Sequence, residues 1–476
     1  MWKQFLSKSQ RKYLKSNNSS SPPPNNSSPN AASCGNAIQQ IATVNGHFGG
    51  VAAIERAPTA MEPQMSFKDV KDEEKQSLFL SKLNLCCVIL DFSDRNKDST
   101  EKDSKRQTLM ELVDYLAADN PQFTEPMIAA SCRMFSINLF RVFPPHCRFN
   151  SFASGEMEED EPVFDPAWYH LQIVYDLLLR FIMSSSIDVK IAKKYLDNLF
   201  ILRLLELFDS DDPRERECLK TVLHRIYGKF MAHRSFIRKA VSNIFYRFLF
   251  ETERHNGIAE LLEVFGSVIS GFAQPLKEEH KIFLWKALIP LHKPKAVGAY
   301  LNQLTYCVIQ FIEKEPKLAS SVIRGLLKYW PVTNSQKEMM FLGELEEVLE
   351  ATNMVEFQKC MVPLFQRISR CLNSSHFQVA ERALFLWNND HLINLISQNR
   401  QVILPLIYPA LERNARWHWN QSVLNVTMNV RKMFSEMDEG LVLACQSNFQ
   451  EEEEKKTAAE EQRKLIWERL ESTAAF

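Results

Sequence analysis

Two consecutive stretches within residues 213–250 place their apolar side chains at the spacing of an α-helix. In both, apolar positions recur at i, i+1, i+4 and i+5, which brings them to one helical face. The first stripe consists of Cys218, Leu219, Val222, Leu223, Ile226, Tyr227 and Phe230, and the second of Phe236, Ile237, Ala240, Val241, Ile244, Phe245, Phe248 and Leu249. Only residues 231–233 separate the stripes, so the sequence predicts two helices folded back as an antiparallel pair.

The start of the first helix is marked by its capping residues. Asp212 stands where an N-cap side chain accepts a backbone N–H, and Pro213 has its φ preset for the first helical turn. Adjacent carboxylates such as Asp211 and Asp212 also occur in acid–base catalysis. The proline that follows them indicates a helix start instead.

Paired amphipathic stretches recur along the chain beyond this pair. Every second helix is predicted to begin near one of seven positions, about 40 residues apart: Pro166, Pro213, Asn256, Val297, Ser335, His376 and Asn420. A helix–turn–helix repeat of this length is typical of a HEAT or armadillo-like solenoid, in which each pair covers the apolar face of its neighbour. The spacing varies and no consensus word repeats, so an elongated helical bundle is the alternative.

The sequence predicts an all-α protein in three parts. Residues 1–74 form a disordered Ser-, Asn- and Pro-rich tail, because residues 16–34 have almost nothing to bury and cannot offset chain entropy. Residues 75–450 form a HEAT-like solenoid of antiparallel helix pairs, and residues 451–476 form a charged C-terminal helix or tail. An insertion at residues 144–166 carries an acidic block, which we interpret as a solvated loop, with docking as the alternative.

Charge distinguishes the helix pair from the rest of the chain. Residues 218–250 contain no Asp or Glu but seven Lys or Arg, although the formal net charge of the chain is −1. A solvated surface normally mixes both signs, so this run indicates a site for an acidic partner. Acidic residues return at Glu251, Glu253 and Glu260, and the chain as a whole is not basic. We therefore expect no nucleic acid among its partners.

The sequence contains none of the familiar signatures of catalysis. It lacks GxGxxG, GxxxxGK[ST], HExxH and GxSxG, and its Cys and His residues form no metal-spaced cluster, so we predict no enzyme, cofactor or metal. Its ten cysteines are scattered, and several lie on apolar stripes, which is typical of buried thiols in a reducing compartment. Because no 18-residue apolar run or signal-peptide core occurs, we expect a cytoplasmic and nuclear protein without a transmembrane segment.

Several long stretches of the chain carry a family resemblance. They are TVLHRIYGKF at residues 221–230, IFYRF at 244–248, ETERHNGIAELL at 251–262, PLKEEHKIF at 275–283, LKYWP at 327–331, FLGELEEVL at 341–349 and HFQVAERAL at 376–384. These stretches closely resemble the B-prime regulatory subunits of type 2A serine/threonine protein phosphatase. The resemblance covers about residues 75–450 and leaves both ends outside.

The resemblance implies a solenoid that docks on a phosphatase scaffold subunit and touches the catalytic subunit, in a heterotrimer whose catalysis belongs to the partner. It also implies a groove that recruits substrate proteins by binding short acidic or phosphorylated segments of the Leu-x-x-Ile-x-Glu type. Carried over position by position, the groove residues are Thr221, His224, Arg225, Tyr227, Arg234, Arg238, Val264, Val268, Lys277 and His280.

The residue pattern agrees with this placement. Arg234 and Arg238 are one turn apart on the polar face of the second helix. Val264 and Val268 add a row to the stripe of the next helix, for which core packing is the alternative. Many family members have isoleucine at these two positions, so valine implies a slightly roomier pocket. Of three function classes, a substrate-specifying subunit is favoured over a nuclear-transport or nucleic-acid-binding solenoid and over an enzyme.

Overall fold

The computed structural model describes residues 65–92, 94, 97–118, 121–143 and 163–474. Most of the predicted N-terminal tail and most of the acidic insertion lie outside these residues. Within the described ranges there are 19 α-helices and no β-strand.

The first ten helices lead from the described N-terminal part of the chain to its middle. They are α1 (Asp72–Leu85), α2 (Ser99–Ala118), α3 (Glu125–Leu139), α4 (Trp168–Met183), α5 (Val189–Tyr195), α6 (Asn198–Glu206), α7 (Pro213–Lys229), α8 (Arg234–Arg247), α9 (Ile258–Ser270) and α10 (Glu278–Phe283).

The remaining nine helices complete the described chain. They are α11 (Leu301–Lys314), α12 (Ala319–Lys328), α13 (Ser335–Glu350), α14 (Met354–Leu372), α15 (Phe377–Leu384), α16 (Asp390–Gln398), α17 (Arg400–Trp417), α18 (Gln421–Met437) and α19 (Glu439–Ala474).

Most of the helices fall into two layers. In the first layer α2, α4, α7, α9, α11, α13, α15 and α18 pack on one another in that order. In the second, α1 packs on α3, α3 on α5, α6 on α8, α12 on α14, α14 on α17 and α17 on α19. Stacking of this kind, in which units contact their neighbours in the sequence, is that of a solenoid rather than a bundle. The predicted all-α, HEAT-like solenoid is confirmed.

The predicted repeat starts coincide with helices of the first layer. The seven predicted starts correspond in order to those of α4, α7, α9, α11, α13, α15 and α18. These helices begin at Trp168, Pro213, Ile258, Leu301, Ser335, Phe377 and Gln421. The largest difference, between Val297 and Leu301, arises because the 3-10 segment Lys295–Ala299 precedes α11. Three of these helices have side-chain N-caps, from Asp212, Asn334 and Asn420.

The two predicted apolar stripes pack into the core. The 3-10 turn Met231–His233 joins α7 to α8. Most stripe residues are buried, and each aliphatic or aromatic side chain buried in this way contributes about 1.5–3 kcal/mol to stability. The exceptions are half-buried: Cys218, Tyr227, Phe236 and Ile244. Tyr227 is thereby available to the surface described below.

The last helix, α19, extends across the predicted boundary at residue 450. Its buried residues are Cys445 and Phe449, and residues 451–474 contain none. Leu465, Ile466 and Trp467 are more than half exposed. None of the helices in the described part of the chain combines the length and apolar content of a membrane-spanning segment.

Candidate functional site

A cleft of about 530 Å³ lies between α7, α8, α9 and the segment 271–280, which includes the start of α10. This basic cleft is lined by His224, Tyr227, Gly228, Arg234, Arg238, Ser267, Val268, Gly271, Phe272, Ala273, Pro275, Lys277, Glu279 and His280. Apolar surface with a few convergent polar groups is the usual composition of a ligand site.

Seven of the ten residues implied by the family resemblance line the basic cleft: His224, Tyr227, Arg234, Arg238, Val268, Lys277 and His280. The other three are not part of its lining. Arg225 is exposed and lines a neighbouring cleft of about 370 Å³, which shares His224 and Gly228 with the basic cleft. Thr221 is half-buried, and its hydroxyl donates to a carbonyl of its own helix at 3.3 Å. Val264 is 2% exposed and lies in the hydrophobic core.

Arg234 closes the C-terminal end of α7. Its guanidinium donates from Nε to the Tyr227 carbonyl at 2.9 Å and from Nη2 to the Gly228 carbonyl at 3.1 Å. Carbonyls of a last helical turn have no partner within the helix, so a cation there satisfies them and meets the negative end of the helix dipole. The guanidinium carbon also lies 5.3 Å from the centroid of the Tyr227 ring. Arg234 therefore holds Tyr227 in place from the neighbouring helix.

Arg238, one turn further along α8, contacts two other members of the lining. Its Nη1 donates to the Tyr227 hydroxyl at 3.3 Å, and its Nη2 donates to Glu279 Oε1 at 3.1 Å. A guanidinium has five N–H donors in a planar fork that matches a carboxylate or phosphate. These two contacts leave further donors of the fork for an anionic ligand.

Two histidines of the lining have defined neighbours. His224 Nε2 lies 3.0 Å from Ser267 Oγ. The His280 ring stacks on Phe272, with ring centroids 3.7 Å apart and planes 3° from parallel. His224 of α7 thus contacts a residue of α9, and His280 of α10 contacts a residue of the segment that follows α9.

The surroundings of both histidines favour the neutral imidazole. Burial lowers the pKa of His224, and the nearby Arg225 lowers it further. Burial also lowers the pKa of His280; Glu279 opposes this effect, whereas Arg238 and a neighbouring lysine add to it. Both rings are therefore mainly uncharged at neutral pH, and an incoming anion favours their protonation.

Several cations of the acid-free run 218–250 have partners inside the fold. Lys220 Nζ lies 2.9 Å from Glu263 of α9. Lys229 Nζ donates to two carbonyls at the C-terminal end of α4, at 2.6 and 2.7 Å. These cations of the run are therefore used inside the fold, and the Lys and Arg residues of the run that line the basic cleft are Arg234 and Arg238. The sequence pattern did not reveal these partners because they lie more than 40 residues away along the chain.

Three polar or aromatic members of the lining were not predicted from the sequence: Ser267, Phe272 and Glu279. Glu279 precedes His280 directly, so its carboxylate was a visible local signal beside a predicted site residue. Phe272 follows the end of α9 in a segment without helical periodicity, and the sequence gives no sign of its stacking on His280. In the part of the chain that the structure describes, no group of three or more His, Cys, Asp or Glu is placed to hold a metal ion.

Stacked helix pairs of this kind define a helical-repeat protein, and this one has an open, cation-lined cleft. Comparison with known families is more specific: the model of the protein phosphatase 2A regulatory B subunits (B56 family) matches residues 64–474. The chain belongs to this family. Because the family is one of regulatory subunits, the prediction of a regulatory rather than a catalytic role is confirmed, and the chain's partners are those of the phosphatase 2A complex.

Curated plant relatives match the chain along nearly its whole length. It is 63% identical to the B' kappa isoform of the 57 kDa regulatory subunits of serine/threonine protein phosphatase 2A from Oryza sativa subsp. japonica, over 100% of this chain and 95% of that protein. It is 62% identical to the B' kappa isoform of Arabidopsis thaliana, over 100% and 96%. It is 58% identical to the B' theta isoform of Arabidopsis thaliana, over 99% and 98%.

Proposed function

We propose that the chain directs phosphatase 2A to its substrates by holding short acidic or phosphorylated segments of the Leu-x-x-Ile-x-Glu type in the basic cleft. The observation that carries this proposal is that Arg238, Lys277, two histidines and the ring of Tyr227 line one open cleft. Cations and apolar surface side by side suit a segment in which acidic and apolar residues alternate at short spacing.

The apolar and acidic parts of such a segment have different places in the cleft. Its apolar side chains lie against Tyr227 and Val268, with Val264 one turn away on α9 as part of the supporting core. Its carboxylate or phosphate groups meet Arg238, Lys277 and, once protonated, the histidines. In the neighbouring cleft Arg225 is exposed and offers a further cation for a phosphate group.

The expected size of the effect follows from the strength of charge-assisted contacts. A hydrogen bond to a charged group contributes about 1.5–3 kcal/mol, whereas a complex with micromolar affinity has a total binding free energy of about 8 kcal/mol. Losing one such contact therefore weakens binding by about tenfold or more.

The proposal is tested by titrating a labelled acidic peptide against the wild type, Arg238→Gln and the matched control Lys239→Gln. Arg238 lines the basic cleft, whereas the adjacent Lys239 is exposed and lies outside the lining. We expect Arg238→Gln to weaken binding about tenfold and Lys239→Gln to change it less than twofold, while both variants still co-purify with the phosphatase. Equal affinities for all three proteins, or no binding by any, would falsify the proposal.

Assembly and location form part of the same proposal. The chain joins a scaffold subunit and a catalytic subunit in a heterotrimer and acts in the cytoplasm and nucleus in signal transduction. The family membership supports the assembly, and the free thiols of the eight described cysteines support a reducing compartment. Purification of the tagged chain from plant cells tests the assembly, and its recovery without either phosphatase subunit would contradict it. Imaging of the same fusion tests the location, which secretion of the protein would contradict.

A further inference from the structure

The carboxylate of Glu279 lies where an acidic ligand group is expected in the basic cleft. Its Oε1 is 3.1 Å from Arg238 Nη2 and 3.5 Å from His280 Nε2. These are contacts that an incoming carboxylate or phosphate oxygen makes with an arginine and a histidine. The chain therefore supplies an anion to its own cation site.

The two sides of this contact differ in exposure. The Glu279 side chain is 53% exposed, whereas those of Arg238 and His280 are 24% and 9% exposed. Arg238 is also fixed by its contact with the Tyr227 hydroxyl at 3.3 Å. The cation side is thus held by the fold, and the carboxylate can turn toward solvent with little rearrangement.

We propose that Glu279 is an internal competitor for the acidic group of the ligand. It pairs with Arg238 when the basic cleft is empty and gives way when a ligand carboxylate or phosphate binds. This inference rests on the proposed function of the cleft. Its consequence is selectivity: a segment without an acidic group at this position does not displace Glu279, whereas an acidic segment replaces one ion pair with another.

The adjacent Glu278 provides a matched control. It carries the same charge on the same turn of α10 but is 83% exposed, lies 3.8 Å from Lys281 and is not part of the cleft lining. Substituting either residue with glutamine changes the net charge of the protein equally. A difference between the two variants therefore reports the local contact rather than the total charge.

The experiment measures the affinity of the full chain for two labelled peptides of the Leu-x-x-Ile-x-Glu type, one with its final glutamate and one with glutamine there. Glu279→Gln removes an exposed ion pair that competes with the ligand, so we expect this variant to bind the acidic peptide about three- to fivefold more tightly than the wild type at low salt. Glu279→Gln should leave binding of the glutamine peptide within about twofold. Glu278→Gln should leave the affinities for both peptides within about twofold of the wild type. The gain in affinity of Glu279→Gln for the acidic peptide should shrink as the salt concentration rises.

Each other outcome overturns the inference in a distinguishable way. Unchanged or weaker binding by Glu279→Gln, with normal binding by the wild type, shows that Glu279 positions Arg238 and does not compete; the proposed function then stands. Equal tightening by both variants shows a general charge effect. Failure of the wild type and both variants to bind the acidic peptide removes the proposed function together with the inference. Because the expected result is a gain of affinity, a folding defect cannot produce it.

Discussion

At the scale of single residues, the charge of the basic cleft depends on whether a ligand is present. Arg238 and Lys277 contribute basic side chains to the lining, whereas the surroundings of His224 and His280 lower the pKa of both rings. An anion placed beside them shifts the pKa of each ring upward, because opposite charge favours the protonated form. Binding of an acidic ligand is therefore coupled to proton uptake.

This coupling predicts a pH dependence of known sign. At a pH above the pKa that the rings have in the complex, ligand binding takes up no proton. As the pH falls through that pKa, binding takes up protons and the affinity for the acidic ligand increases. Between pH about 8 and about 6 we expect tighter binding of an acidic peptide, by up to about tenfold per pH unit for each proton taken up. Calorimetric titrations in buffers with different ionisation enthalpies measure the proton uptake directly.

The control for the pH prediction is the double variant His224→Gln, His280→Gln. Its affinity should be nearly independent of pH over the same range, since carboxylates of the peptide titrate only near pH about 4. A wild-type affinity that does not change between the two pH values contradicts the coupling.

Single residues also mark the limit of prediction for the site. The family resemblance implied both Tyr227 and Arg238 as groove residues: Tyr227 lies in the stretch at residues 221–230, and Arg238 lies between that stretch and the one at 244–248. Periodicity alone could not separate Arg238, which lines the cleft, from Lys229, which is used inside the fold, since both lie on polar helical faces. For Val264, the spacing allowed either a groove residue or a core residue, and its 2% exposure is set by helices far away in the sequence.

At the scale of elements, two successive helices of the first layer are joined by a side chain of one that caps the other. Lys229 of α7 donates to the carbonyls of Ile182 and Ser184, where α4 ends. Its Nζ thus meets the negative end of the α4 dipole and satisfies carbonyls that the helix leaves open. Helices α4 and α7 are successive members of the first layer, so this contact fixes one repeat against the next.

We predict that Lys229→Met lowers the free energy of unfolding by about 1–3 kcal/mol, because two partly buried carbonyls lose a charged donor. The measurement is chemical denaturation followed by circular dichroism. Lys239→Met is the matched control: Lys239 is exposed on α8, and its substitution should change stability by less than about 0.5 kcal/mol. If the two variants are equally stable, the cap does not contribute.

The elements themselves were largely predictable because the signals that define them are local. Asp212, Asn334 and Asn420 cap three helices of the first layer, and each is recognisable from a few neighbouring residues. The predicted start of α11 precedes the observed start because Lys295–Ala299 forms a 3-10 segment that does not interrupt the apolar pattern. Which helix packs on which depends on the period of about 40 residues, and this period was visible as a series of starts.

At the scale of the whole molecule, a solenoid has ends, and the C-terminal end of this one is visible in its burial. Phe449 is 3% exposed, with its ring centroid 6.4 Å from that of Tyr408 and the guanidiniums of Arg413 and Arg416 within 6 Å. Residues 451–474 continue the same helix without a buried side chain. The buried side chains of α19 therefore end at Phe449.

A chain that stops at residue 450 should consequently keep the stability of the full chain. Within the described residues 451–474, Glu453 lies 4.0 Å from Arg413 of the array, and an exposed ion pair contributes only about 0–1 kcal/mol. Phe449→Ala in the full chain should instead lower the free energy of unfolding by about 3–5 kcal/mol, because it opens a cavity beside Tyr408. Chemical denaturation of the three proteins decides between these outcomes. A shortened chain as unstable as Phe449→Ala would mean that residues 451–474 pack on the array in solution and that the solenoid does not end at Phe449.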